Sequence, residues 1–169
     1  MQLSIPEPTR PTMKDYGIAQ ERDGMLSWPW VIEQLEAAHN YWICTTRPDG
    51  RPHAAPVWGV TIGDGVYFGT GASSVKARNF AHQPHVVLHS ESGDDCVIIE
   101  GLIETVTDET ILTQMAAAYP KKYPSFTPTL EDLKGNANFT VRPQIVMAWR
   151  EKDFPNSATR WNFDKKGKL

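Results

Sequence analysis

The stretch Tyr67-Phe68-Gly69-Thr70-Gly71-Ala72-Ser73-Ser74-Val75-Lys76-Ala77-Arg78-Asn79 holds the residue types from which an anion site can be built. A strand pattern ends in small residues, two serines follow, and a helical pattern begins with Lys76 and Arg78 in its first turns. The opening N–H groups of a helix lack internal partners and carry about half a positive charge, so cations there are mildly unfavourable. Two cations at that place make sense when an anion occupies it. Backbone N–H groups, the serine hydroxyls and the Lys76 ammonium would together cradle a phosphate. Gly69 and Gly71 would let the ligand come close to the backbone. The plainer reading is a solvent-facing helix start with Ser74 as its cap, and spacing alone does not choose between the two.

The other reactive types are dispersed. His39, His53, His82, His85 and His89 fall in turns, helices and strands. His85 and His89, four apart on a strand, share one face, but no third ligand accompanies them, so no metal site is expected. Cys44 and Cys96 lie in separate strand patterns without a CxxC and read as reduced core or barrel-wall residues. No acid–base pair or nucleophile stands out, and catalytic residues stay unassigned. The net charge of −3, with Lys165-Lys166-Gly167-Lys168 as the longest basic run, argues against a nucleic-acid partner. No apolar run approaches the roughly 18 residues of a membrane span. Met1 to Asp15 is polar and Pro-rich, without the apolar centre of a signal peptide. The expectation is a cytoplasmic protein with no membrane span.

The elements that must position these residues are mostly strands. At 169 residues the chain suits one domain, able to bury roughly 70% of its unfolded surface. Residues 1–26 read as an irregular N-terminal arm and residues 27–169 as the domain itself. Ser27 offers an N-cap to a helix reaching about His39, with Trp28, Val31, Ile32 and Leu35 at helical spacing and Pro29 in its first turn. Tyr41–Thr46 and His53–Val60 read as strands joined by the turn Arg47-Pro48-Asp49-Gly50. Pro56 implies an edge or a bulge. Val66–Thr70 forms a third strand, and a short helix from about Ser74 to His82 interrupts the sheet. His85–Ser90 and Cys96–Val106 continue it. Thr107 is the expected cap of a further helix whose buried face is Ile111, Leu112, Met115 and Ala118, followed by a loop at Pro120, Pro124 and Pro128. Strands near Ala137–Arg150 and Thr159–Phe163 close the chain. Six or seven antiparallel strands with a few short helices make a mainly β (α+β) chain, closed as a small barrel.

The order of four motifs carries a family resemblance. These are Gly50-Arg51-Pro52-His53-Ala54-Ala55-Pro56-Val57-Trp58-Gly59-Val60, the Ser-x-Lys-Ala of Ser74 to Ala77, Val97-Ile98-Ile99-Glu100-Gly101, and Ala158-Thr159-Arg160-Trp161-Asn162-Phe163. Together, over about residues 30–163, they resemble the pyridoxamine 5′-phosphate oxidase-like, FMN-binding split-barrel superfamily. The resemblance implies a split β-barrel and a homodimer with cofactor sites at its interface. It implies that Thr70, Gly71, Ser73, Ser74, Lys76 and Arg78 surround the cofactor phosphate, and that Ala55, Pro56 and Val57 line the ring system. Trp58 either stacks on that ring or belongs to the core. Arg160 and Trp161 either reach the neighbouring subunit's site or anchor the interface.

The true oxidases of this family carry an Arg and a Lys on the second strand and an Arg between Ser and Lys of the helix. Ala55, Val60 and Val75 stand at those positions here. With the Pro-Val-Trp-Gly and Arg-Trp-Asn-Phe patterns, this is similar to the flavin/deazaflavin oxidoreductase branch of F-420-dependent type B. The implied activity is hydride transfer from reduced coenzyme F-420 to a small electron-poor acceptor of enone or quinone type. The alternatives are an FMN-dependent oxidoreductase and a non-catalytic flavin- or tetrapyrrole-binding protein.

Overall fold

A computed structural model describes residues 2–163 and shows one antiparallel sheet that curls upon itself. Its strands are β1 (Tyr41–Thr46), β2 (Pro52–Val57), β3 (Gly59–Ile62), β4 (Gly65–Thr70), β5 (His85–Ser90), β6 (Asp95–Thr105), β7 (Ala137–Arg150) and β8 (Thr159–Asn162). They are hydrogen-bonded in the order β2-β1-β5-β6-β7-β4-β3, and β8 pairs with the later half of β7. The two end strands, β2 and β3, are joined through the single residue Trp58. Strands so connected must lie near one another, which bends the sheet into a split barrel.

The expected fold class holds, with one strand more than expected. Trp58 leaves the ladder and divides the stretch read as one strand, His53–Val60, into β2 and β3. Pro52 and Pro56 both lie on β2, which pairs only with β1. An end strand tolerates a residue with no N–H to donate. Pro143 sits inside β7, where the ladder with β6 shifts register between Glu100 and Gly101. Gly101 is required there: a Cβ would lie 2.2 Å from the Arg142 carbonyl oxygen.

Alternation along the strands fills the barrel. Tyr41, Ile43, Phe68, Leu88, Val97, Val146, Ala148 and Trp161 form the centre of the inner core. Helix α1 (Trp28–Ala37) closes one side of it with Val31 and Leu35, and Ser27 Oγ accepts from the Trp30 N–H as its cap. Helix α2 (Val75–His82) covers another opening with Asn79 and Phe80. Helices α3 (Glu109–Lys122) and α4 (Leu130–Lys134) lie outside the sheet and bury a second cluster that includes Val60, Tyr67, Leu112, Met115, Tyr119, Tyr123 and Leu133.

Helix α3 departs from expectation at both ends. Its cap is Asp108, not Thr107: the carboxylate accepts from the Thr110 and Ile111 N–H groups. Its fully buried residues are Leu112, Met115 and Tyr119, while Ile111 and Ala118 are half-buried. Pro120 lies inside the helix and not in a loop. The last turn survives because it is anchored from both sides. The Tyr123 N–H donates to the Tyr119 carbonyl at 2.7 Å, and the Tyr123 hydroxyl accepts from the Gly59 N–H and donates to the His39 carbonyl. Helix α4, with its reciprocal Thr129–Asp132 capping box, was not foreseen, nor was α5 (Phe154–Ser157).

The arm ahead of Ser27 lacks regular structure yet is held at several points. Thr9 bridges to Arg160 of β8 through a reciprocal backbone pair at 2.8 Å. The Arg10 guanidinium donates to the carbonyls of Glu21, Asp23, Asn156 and Ala158 at 2.6–3.0 Å. Asp64 accepts from the Leu3 N–H and from Trp28 Nε1, both at 2.9 Å. Among the described residues no helix is long and apolar enough to cross a membrane. The basic run Lys165 to Lys168 lies outside the described residues.

Candidate functional site

Helix α2 begins where β4 ends, and its first residues meet the hairpin of β1 and β2 at one mouth of the barrel. Ser74 caps the helix: its Oγ accepts from the Ala77 N–H and from Thr70 Oγ1, both at 3.2 Å. Both acceptor positions of the hydroxyl are thereby used, leaving its own O–H available to donate. Lys76, in the first turn, is half-buried, and no carboxylate lies within 4 Å of it among the described residues. Arg78 is exposed and turns back to donate to the Ser73 carbonyl, so it braces the loop.

The two loop glycines serve different ends. A Cβ at Gly69 would lie 3.3 Å from Asn138 Oδ1, so that glycine answers to packing between strands. A Cβ at Gly71 would meet nothing within 4 Å, and this residue opens directly onto solvent.

One residue at this mouth appears in the sequence only among the dispersed histidines. His53, half-buried on β2, places Nδ1 3.3 Å from Thr45 Oγ1, which in turn accepts from Asn79 Nδ2 at 2.8 Å. Thr45 and Asn79 are buried, so the imidazole rests on a fixed polar pair. Desolvation, followed by the nearby positive charges of Arg47 and Lys76, holds the His53 pKa below the usual histidine range. The period of two along β2 was the available signal, since it puts His53 and Ala55 on the same face.

The remaining expected residues fall elsewhere. Ala55 pairs with Ile43 and is half-buried, while Pro56 pairs with Trp42 and is exposed. Val57 is a core residue at 6% exposure, and its side chain has no surface left for a ligand. Trp58 is 43% exposed and lies flat on Tyr123, ring centroids 4.6 Å apart and planes within 10°. His39 and Phe126 meet it edge-on. Trp58 is therefore a ledge on the surface, not a core residue.

Arg160 and Trp161 separate on β8. Trp161 is 1% exposed and packs edge-to-face on Trp28, which removes its side chain from any ligand surface. Arg160 lines a cleft of about 220 Å³ with Pro11, Thr12 and Met13 of the arm and with Glu100, Ile145 and Met147 of the sheet. A second cleft of about 340 Å³ crosses the outer face of β1, β5 and β6, where Cys44, Thr46, His85, Val87 and Glu100 line it. Both β4 and β8 pair with β7, but Thr70 pairs with Ala137 at its start and Arg160 with Met147 near its end. The fold thus brings Thr70, Gly71, Ser73, Ser74, Lys76 and Arg78 together and leaves Arg160 toward the other end of β7.

Elsewhere, Lys122 Nζ donates to the Tyr41 hydroxyl at 2.8 Å and sits 4.5 Å from the centre of the Tyr41 ring. Burial pushes its pKa down to about 8. Burial raises the Cys96 thiol to about 11 and also raises Cys44, so neither is a ready nucleophile. Among the described residues no group of three potential metal ligands converges.

Residues 31–150, well over half the chain, match the family model described as pyridoxamine 5′-phosphate oxidase. Among solved structures, a conserved hypothetical protein from Mycobacterium tuberculosis aligns with a TM-score of 0.67 at 20% identity, covering 82% of this chain and 90% of that one. An F-420 reductase aligns at 0.54 and 23% identity, covering 68% and 93%. A heme storage protein from Vibrio cholerae aligns at 0.56 and 17% identity, covering 68% and 88%. At these identities the likeness is one of fold. No curated protein matches the sequence. With a split barrel, and with the family match running from α1 to the end of β7, the chain belongs to the pyridoxamine 5′-phosphate oxidase family.

Proposed function

We propose that the protein is an oxidoreductase that holds a phosphate-bearing, flavin-type cofactor at the mouth beneath α2. The observation that carries this reading is Lys76: half-buried, without a carboxylate partner among the described residues, and near a Ser74 hydroxyl with a proton left to donate. A donor set rich in N–H and O–H groups and poor in acceptors fits a phosphate. Gly71 adds open space beside it.

Within this reading the cofactor is coenzyme F-420, and the acceptor is a small electron-poor enone or quinone. Ala55 and Val75 lack the positive charges that FMN meets in the true oxidases of the family, and Val60 is buried at 2% exposure. A deazaflavin supplies hydride transfer when bound. The chain's own residues bind its phosphate, orient it and keep water away. Arg160, toward the far end of β7 from Thr70, would serve the site of a second copy in a homodimer, and the outer sheet face would be the contact.

Fluorescence titration of the apo protein with F-420 and, separately, with FMN tests this. Micromolar or tighter F-420 binding with weaker FMN binding supports the assignment. The reverse preference makes it an FMN enzyme. Affinity for neither removes the proposal, and tight binding without turnover of any quinone or enone leaves a cofactor-binding protein with no reductase activity.

A further inference from the structure

The positive charge absent from Ala55, Val60 and Val75 is matched by two groups on the β1–β2 hairpin. Arg47 directly follows β1 and His53 lies near the start of β2, and the charges of Arg47 and Lys76 both act on the His53 imidazole. His53 lies two residues before Ala55 and so points to the same face of β2. Its ring is fixed through Nδ1 by Thr45 and Asn79, which leaves Nε2 on the side away from that pair. We propose that His53, flanked by Arg47 and Lys76, is a ligand to the cofactor phosphate and takes up a proton when that anion binds. The inference rests on the cofactor site proposed above.

The surroundings favour this linkage. The charge of Arg47 from the hairpin and that of Lys76 from α2 both act on the imidazole, while its hydrogen-bonded neighbour Thr45 and the Asn79 behind it are neutral. The carboxylate of the same hairpin, Asp49, is held by Arg51 through Nε and Nη2 at 2.9 and 2.7 Å. No carboxylate forms an ion pair with His53 among the described residues. Two cations beside an imidazole disfavour its charged form, and an anion placed among the three reverses that preference. The protonated state therefore belongs to the loaded site and the neutral state to the empty one. By linkage, affinity then rises as pH falls through the histidine range.

The test compares apo wild type with His53→Gln, each titrated by fluorescence with F-420 and with FMN at pH 5.5 and pH 8.0. Either ligand titrates identically in both experiments, so the difference between the proteins reports His53 alone. The expected result is that the ratio of Kd at pH 8.0 to Kd at pH 5.5 is larger in wild type by at least about tenfold. Isothermal titration in two buffers of different ionisation enthalpy should show close to one more proton taken up by wild type at pH 7. Equal pH dependence in the two proteins, with binding retained and Lys76→Ala still weakening it, overturns the role of His53 and spares the cofactor site. Binding unaffected by Lys76→Ala and by His53→Gln alike overturns both.

Discussion

Arg10 and Lys76 are cations in two regions of one small barrel, and their surroundings are opposite. Arg10 has four carbonyl partners, two from the arm and two from the segment around α5. Lys76 has no carboxylate within 4 Å among the described residues and lies where a helix already presents unpaired N–H groups. The contrast teaches how to sort charged groups in a protein of this kind. A cation whose donors are all directed at main-chain oxygens holds the chain together. One left half-buried among other donors costs stability in the empty protein and is available to a ligand.

Removing Arg10 should produce the larger loss. Arg10→Ala leaves the arm carbonyls to water and should lower stability by about 2 kcal/mol, given the strength of charge-assisted hydrogen bonds to partly exposed groups. At this chain length that is a fall in Tm of roughly 4–8 °C. Cofactor affinity of the folded fraction should not change. Arg10→Lys should recover less than half, because an ammonium cannot serve four oxygens spread around a planar fork. A Tm within a degree of wild type would dissolve the contrast.

Lys76→Ala should show the reverse pattern. Cofactor affinity should fall by about tenfold, which corresponds to roughly 1.4 kcal/mol. Thermal stability of the apo protein should stay level or rise slightly, since a charge unfavourable to the helix N-terminus is gone. A marked loss of Tm would make Lys76 structural, like Arg10.

Lys122 is the intermediate case, with one hydrogen bond to Tyr41 and partial burial. Its pKa falls from 10.5 to about 8 on folding. Between these values Lys122 binds more protons in the unfolded chain than in the folded one, so its contribution to stability should rise with pH from about 8, with Cys96, raised by burial to about 11, opposing it above about 9. Above that range Tyr41, whose pKa burial raises, opposes the gain, because the unfolded chain then releases its phenolic proton first. A series of Tm measurements across pH 8–10 should have a more positive slope in wild type than in Lys122→Met. Equal slopes in the two proteins would assign the pH dependence to other groups.

Local signals explain what could be read from sequence. Ser27 and Ser74 are caps because a short hydroxyl residue precedes an apolar-periodic run, and both do cap. The strands from Tyr41 to Thr46 and from Ala137 to Arg150 carry their pattern within themselves. What was missed depends on distant partners. Pro120 reads as a helix stop until Tyr123 is seen bonded to Gly59 and His39. That the side chains of Val57 and Trp161 are buried is seen only once the barrel closes around them. The period of two puts His53 on the face of Ala55, but only the packing of α2 against β1 brings Asn79 and Lys76 to it. Arg10 lies in a stretch without periodicity, and its carbonyl partners are as far away as Ala158.

The bridge between Thr9 and Arg160 brings positions from the two extremes of the described chain side by side. A gene in which a short linker connected these neighbourhoods would encode a ring, and that ring could be opened elsewhere. The exposed turn at Asp49 and Gly50 is a suitable place, with Gly50 at φ 83° and nothing near its Cα hydrogen on the side-chain side. A chain opened at that turn would keep the Thr9–Arg160 bridge inside it. It would place the hairpin carrying Arg47 and His53 at the new ends, where translation order and tethering can be varied independently of the core.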